Sequence, residues 1–450
     1  MNQIISKEFK FIQLLQFAAP SIVMMVFLSL YTIVDGFFVS HYVGTDALSS
    51  VNITYPFSSI FVALGVMFAT GGSAVVATRM GEKKMEDANN SFSLIVLFCF
   101  CISILFAIPA LIWIEPLVKV LGAEGNLIPL CMKYLFIQVF FSPIAILQIL
   151  FQNFFVTAGK PIFGLILTVI AGLCNMLFDF VFLGVMHIGI EGAAYASAIG
   201  YCIPALGGIL FFIKNKQGLH FIKPRWNKIV LIKSSLNGSS EMVTNLSVSV
   251  TTFLFNVLTM KYLGSDGVAA ITVILYCQFL MTSLFMGFSI GVAPVISYHY
   301  GADNSTYLKK LKQMCWKFVI FSSFLVFAFS LSCTELIAAL FSDQSSDVYS
   351  LICRGMTIFS VSFLFAGINI FASAMFTAIS DGKTSAIISF SRTFLFIIVG
   401  FIIMIQLFHV DGIWLSMPFA EFITLLLVIW LLYRRKVNLK RDILNFDGRE

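Results

Sequence analysis

Apolar runs long enough to cross a lipid bilayer recur along the whole chain, and they decide most of what it can fold into. A hydrocarbon core of about 30 Å needs roughly 20 helical residues at about 1.5 Å each. Twelve runs qualify, near residues 12–38, 47–78, 90–114, 128–157, 162–186, 191–213, 235–260, 267–298, 315–334, 350–378, 385–407 and 412–433. Hydrophobic residues make up 59% of the chain and charged residues 11%, whereas a soluble domain carries roughly a quarter charged residues. Pro20, Pro56, Pro143, Pro204, Pro294 and Pro418 lie inside runs. Neighbouring helices re-satisfy the backbone in a membrane, so these prolines predict bends rather than ends.

Charge sets the orientation. Of the 28 Lys and Arg residues, 23 fall in the N-terminus, the even-numbered loops or the C-terminal tail, while Lys119, Lys133, Lys261 and Arg354 are on the odd side. The positive-inside rule makes the even loops and both termini cytoplasmic. The first residues lead directly into a span with no small-residue cleavage site, which predicts an uncleaved first helix. The net charge of +6 is accounted for by these loops, so no nucleic-acid partner is expected. The nine cysteines sit in or beside apolar runs without a CxxC pair and read as small buried hydrophobes.

The chain also repeats itself. A shift of 220 residues aligns Tyr42-Val-Gly44-Thr-Asp46 with Tyr262-Leu-Gly264-Ser-Asp266, Phe68 with Phe288, Gly71 with Gly291, Val75 with Val295, and Gly81 with Gly301. Six spans per copy is an even number, so both copies share one orientation: a parallel pseudo-twofold repeat, in which a central site lies between two lobes. The expected fold is an all-α membrane protein of twelve transmembrane helices in two six-helix lobes. The lobes are placed at 1–213 and 235–433, with a cytoplasmic connector at 214–234 and a cytoplasmic tail at 434–450. The connector is the longest polar stretch and reads equally as a solvated linker or as a basic segment lying on the inner leaflet.

Ionisable groups inside spans cost about 2.5–3.5 kcal/mol each on insertion scales and are functional candidates by default. The short set is Asp35, Asp179, Glu241, Arg392 and Glu421. Asp35, Asp179 and Ser197 fall at similar depth, roughly 8–10 Å below the outer surface. Asn175 precedes Asp179 by one turn and Tyr31 precedes Asp35 by one turn, which puts each pair on one helical face. An oxygen-rich cluster of this kind suits a proton or a hard cation such as Na⁺, and two carboxylates in a poorly solvated pocket do not easily both stay ionised. The alternative is that both merely make polar helix contacts or face water. In the second copy Asp35 aligns with Phe255, and Asp179 with Val399 or Ile402, so the pair belongs to the first repeat alone. Glu241 and Arg392 share a depth on the cytoplasmic side and are expected to pair, as a structural tie or part of a gate. Glu421 sits nearer mid-membrane and reads equally as path lining or a helix–helix hydrogen bond.

Enzyme and ATP-driven machinery is absent. Gly382-Lys383-Thr384 resembles the end of a phosphate loop, but Thr377 stands where its first glycine belongs. No His/Cys/Glu cluster has metal-ligand spacing, no cofactor is called for, and no nucleophile motif is present.

The segments Gly159-Lys160-Pro161, Asn175-x-x-x-Asp179 and Gly189-Ile-Glu-Gly192-Ala-Ala-Tyr-Ala196-Ser197 resemble the span four to six signature of the multidrug and toxic compound extrusion family. The resemblance extends over essentially the whole chain and implies a prokaryotic multidrug efflux transporter. It implies a cation-coupling site of Asp35, Asn175, Asp179 and Ser197 with Tyr31 beside it, Pro20 as the bend of helix one, and Glu241 as the helix-seven glutamate of some members. The second-lobe aspartate of some branches has no counterpart here in span ten.

The expected function is therefore secondary antiport: export of amphipathic, cationic small molecules in exchange for H⁺ or Na⁺, by rocker-switch alternating access. The chain is expected to be a multi-pass monomer of the plasma membrane, with the lipid bilayer and a small-molecule substrate as its partners. A lipid-linked oligosaccharide flippase of the same superfamily and an intramembrane lipid-modifying enzyme are the rival readings.

Overall fold

The computed structural model describes residues 4–446. Residues 1–3 of the first expected lobe and 447–450 of the expected tail lie outside the described residues. The long helices run in the order α1 (Phe11–Tyr42), α2 (Thr45–Gly81), α3 (Met85–Ile112), α4 (Ile114–Val120), α5 (Leu127–Phe140), α6 (Ser142–Thr157), α7 (Pro161–Asp179) and α8 (Ile190–Lys214). They continue with α9 (Lys228–Gly301), α10 (Ser305–Ser332), α11 (Thr334–Phe341), α12 (Asp347–Ser360), α13 (Phe363–Ala378), α14 (Gly382–Phe390), α15 (Phe396–Phe408) and α16 (Val410–Phe446). A π-helical turn follows α7 at Phe180–Val185, and another joins α14 to α15 at Ser391–Leu395.

Among the described residues nine helical stretches are long and apolar enough to span a bilayer, and two further spans are bent pairs, α5 with α6 and α12 with α13, each turned by 51°. One of the nine, α9, is 74 residues long and breaks at Gly264, whose φ of 68° and ψ of −155° are not helical. Counting α9 as two gives the twelve spans that the apolar runs indicate. Pro20 lies inside α1, and the helix continues through it.

The repeat is visible in backbone geometry. Gly44 and Gly264 both take positive φ, at 101° and 68°. Lys83 and Asp303, at 62° and 52°, and His187 and His409, both at 51°, recur at shifts of 220 to 222 residues. A left-handed conformation at a non-glycine residue is uncommon, so its recurrence at matching helix ends marks two copies of one chain path. The two 51° bends recur in the same way.

By packing, the chain forms two compact units that cut across the second repeat. The first gathers residues 4–249, 283–314 and 377–382, and the second gathers 250–282, 315–376 and 383–446. Glycines let helices of the first unit touch backbone to backbone. A methyl group added at Gly71 would overlap the Ser234 carbonyl, and one at Gly291 would come within 2.9 Å of Ala18. One at Gly81 would overlap the Tyr298 carbonyl, and one at Gly301 the Thr78 carbonyl. The last two contacts are symmetry mates, since 78 and 298, like 81 and 301, are one repeat apart, and Gly291 against Ala18 mirrors Gly71 against Gly238, which a methyl at Gly71 would also meet. Small residues at crossings allow such close approach in membranes, where dispersion contacts replace the hydrophobic drive.

The connector is tied to the first lobe rather than free. Its backbone is read by side chains of α3: His220 N donates to Asn89 Oδ1 (3.1 Å), Ile222 N to Ser93 Oγ (3.0 Å) and Arg225 N to Asn90 Oδ1 (2.6 Å). The Phe221 ring enters a cluster with Phe92 (4.9 Å), Phe212 (6.1 Å) and Phe151 (6.3 Å). Asn227 then caps α9, accepting from Ile229 N and Val230 N. Unpaired amides would be expensive near hydrocarbon, and these side chains satisfy them.

Because Gly81 and Gly301 abut carbonyl oxygens that cannot rotate away, Gly81→Val and Gly301→Val should each destabilise the protein by about 1–3 kcal/mol. Thermal unfolding in detergent should show a lowered midpoint for both. Leu105→Val, at a position 67% exposed on α3, should leave it nearly unmoved.

Candidate functional site

The first unit brings α1, α5, α7 and α8 together around two carboxyl groups. Helices α1 and α7 approach closely because Gly172 has no side chain; a methyl there would overlap the Phe27 ring and lie 3.4 Å from Tyr31. Helix α7 opens with Pro161 at its first position and ends at Asp179, where the wider π turn begins. Asp179 is wholly buried and Asn175, one turn earlier on the same face, is 3% exposed.

Asp35 is half-buried, and its carboxyl lies within hydrogen-bonding reach of Asp179. Two ionised carboxylates are both acceptors, so they bond only when a proton lies between them. Among the described residues nothing donates to Asp35 Oδ1, to either oxygen of Asp179, or to Asn175 Oδ1, all of which are buried. Buried acceptors without donors cost about 1–3 kcal/mol each, more when charged. A bound proton or small cation removes that cost.

Three phenols complete the surround. Tyr31 on α1, Tyr134 on α5 and Tyr201 on α8 lie close enough to Asp35 to feel its charge. The Tyr201 hydroxyl lies beside Ser197, and Gln138 Nε2 donates to Tyr134 Oη at 3.4 Å. The residues singled out in the sequence thus converge, with Ser197 reaching the carboxyls through Tyr201. Tyr134, Gln138 and Tyr201 are uncharged and carry no helix-spacing relation to either carboxylate in the sequence. Tyr201 carried a usable signal, being one turn from Ser197 on the same face.

The second unit holds a different charge arrangement. Arg392 lies in the π turn at Ser391–Leu395, and its Nε donates to Glu421 Oε1 on α16 at 2.8 Å. Asn369 Nδ2 on α13 donates to Glu421 Oε2 at 2.7 Å and to the Glu421 carbonyl at 2.8 Å. Glu421 and Asn369 are wholly buried and Arg392 is 8% exposed. Equal depth matched Arg392 to Glu241, whereas its ion-pair partner is Glu421. Depth is one coordinate of three; the consecutive antiparallel helices α15 and α16 put Glu421 beside the arginine. Glu241 lies half-buried on α9, in the other unit. Beside Arg392 runs a line of buried hydroxyls: Ser373 Oγ meets Ser385 Oγ (2.8 Å) and Ser389 Oγ (2.9 Å), and Thr251 Oγ1 donates to the Thr393 carbonyl (2.8 Å).

Known proteins share this fold. The multidrug export protein MepA of Staphylococcus saprophyticus is 22% identical over 447 residues, covering 97% of this chain and 95% of its own length. MepA of Staphylococcus haemolyticus is 23% identical over 437 residues, covering 95% and 94%. Among solved structures, a MATE protein in complex with MaL6 superposes with a TM-score of 0.90 at 20% identity, over 95% of this chain and 96% of that one. An outward-facing multidrug resistance MATE family transporter of the MOP superfamily gives 0.89 at 21%, over the same shares. At these identities the likeness to the solved structures carries the fold. The pattern of the MatE family matches once in each repeat, over residues 20–181 and 242–402, and the chain therefore belongs to the MatE family of membrane transporters.

Proposed function

We propose that this protein is a secondary antiporter of the plasma membrane that exports amphipathic, cationic small molecules in exchange for H⁺ or Na⁺. The observation that carries the reading is the Asp35, Asp179 and Asn175 group, in which Asp35 Oδ1, both Asp179 oxygens and Asn175 Oδ1 are buried and lack donors among the described residues. Two MepA relatives named as multidrug export proteins support the export side of it.

Asp35 is the less buried member of the pair and Asp179 the enclosed one, so an entering ion meets Asp35 first. Binding converts a doubly negative, donor-poor pocket into one of lower charge, and the difference in stability between the two forms is what an ion gradient acts on. Tyr31 and the Ser197–Tyr201 pair supply further oxygens to the ion. The glycine contacts of α2 with both ends of α9 close the chain on the side of its basic loops, which the positive-inside rule makes cytoplasmic. Alternating access then requires these contacts to part and re-form by rigid rocking. Both termini are cytoplasmic, and the protein acts as a monomer.

Asp35→Asn and Asp179→Asn should each lower gradient-driven dye export from proteoliposomes by tenfold or more. Unimpaired export in both would remove the coupling site. Imposing pH and Na⁺ gradients separately in the same vesicles identifies the ion.

Tyr201→Phe removes one hydroxyl and keeps the ring. It should raise the ion concentration needed for half-maximal export a few-fold, with the folded yield of the wild type. An unaltered ion dependence would exclude Tyr201 from the ion's surround.

A further inference from the structure

The connector turns its backbone inward and its charges outward. From residue 214 to 233 the chain carries Lys214, Lys216, Lys223, Arg225, Lys228 and Lys233, and no Asp or Glu. All six are exposed, and among the described residues only Arg225 has an ion pair, with Glu86 on α3 at 3.3 Å. The hydrogen bonds from His220 N, Ile222 N and Arg225 N to α3 hold the segment in place, so its cations have fixed positions. Ile222, Lys223, Pro224 and Arg225 border an open groove of about 510 Å³, with Glu86 on its other side. Trp226 comes next and is 71% exposed, and Ile229, Ile232 and Leu236 form one exposed face of the first turns of α9. At about 100° per residue, Lys228 and Lys233 fall on the two edges of that face.

We propose that this surface is a binding site for anionic phospholipid of the inner leaflet, with Trp226, Ile229 and Ile232 among the upper acyl chains and Lys223, Arg225 and Lys228 on the phosphates. The apolar run of the seventh span begins near residue 235, so the face lies where α9 enters hydrocarbon. Tryptophan favours that level, and lysines beside it extend their amines to the headgroups while their stems stay with the chains. A neutral phospholipid would cover the apolar face and leave the cations without counter-charge. A soluble phosphate would meet the cations and leave Trp226 and Ile229 in water. An anionic lipid satisfies both at once, and each Lys or Arg near an anionic surface contributes about fivefold in affinity. Glu86 opposes the binding by holding Arg225.

Full-length protein in detergent would be titrated with phosphatidylglycerol carrying bromine high on its acyl chains, which quenches tryptophan on contact. The quenching lost in Trp226→Phe separates Trp226 from the other tryptophans. Phosphatidylglycerol should half-quench Trp226 at about tenfold lower concentration than phosphatidylcholine with the same chains. Lys223→Gln and Arg225→Gln should each raise the phosphatidylglycerol midpoint about fivefold. Glu86→Gln, which releases Arg225, should lower it a few-fold. Lys309→Gln removes an exposed cation from the start of α10, also on the side of the basic loops, and should leave the midpoint in place. Equal midpoints for the two lipids, no quenching of Trp226, or the same shift in Lys309→Gln as in Arg225→Gln overturns the proposal. Displacement of phosphatidylglycerol by an equal concentration of glycerol 3-phosphate also overturns it, since the cations then serve a soluble phosphate. The substituted side chains are all exposed, and an unchanged thermal midpoint confirms that each variant is folded.

Discussion

Hydrocarbon offers a backbone amide nothing to bond with, and the rest of this structure follows from that. Each spanning segment must satisfy its own N–H and C=O groups, which leaves helices as the form for runs this apolar. Departures from helix occur where the chain has another way to meet the requirement. Gly264 breaks α9 between two spans, and the connector pairs its amides with Asn89, Asn90 and Ser93 of α3. The two π turns fall at Asp179 and Arg392, the two places where a charge is buried. A π turn widens the helix and frees a backbone acceptor, and it recurs at functional positions.

Within that scaffold the two repeats use corresponding places differently. Asp35 of the first repeat aligns with Phe255 of the second, and Phe255 is buried against Phe401 (ring centroids 4.8 Å) and Phe359 (6.4 Å). Hydrocarbon fills the slot in one copy where a carboxylate stands in the other. The second unit instead buries Arg392 with Glu421, a pair that neutralises itself. One repeat therefore holds a carboxyl pair that meets no Lys or Arg in an ion pair among the described residues, and the other keeps its charge balanced internally. A buried pair of this second kind is weak ground for stability, because desolvation offsets most of the attraction.

The close glycine crossings are the mechanical counterpart of this division. Gly71, Gly81, Gly291 and Gly301 join α2 and α9 to their neighbours through backbone contacts with almost no side chain between them. Interfaces of that kind have no soft intermediate positions, so they favour two discrete arrangements over gradual deformation.

Read alone, the amino-acid order determined the membrane class, the twelve spans, the repeat and the carboxylate pair. Each of these follows from one-dimensional quantities: run length, spacing along a helix, and the cost of a charge in lipid. Depth along a helix placed Asp35, Asp179 and Ser197 at one level, and the family pattern found in both repeats agrees with the resemblance carried by Asn175, Asp179 and the Gly189 segment. Which helices stand side by side is not a one-dimensional property. Only the tertiary structure decided that Arg392 pairs with Glu421 instead of Glu241, that uncharged Tyr134 and Tyr201 close around Asp35, and that the connector is tied to α3. Those outcomes depend on the rotation of each helix about its axis and on its choice of neighbour, both set by packing among many side chains at once.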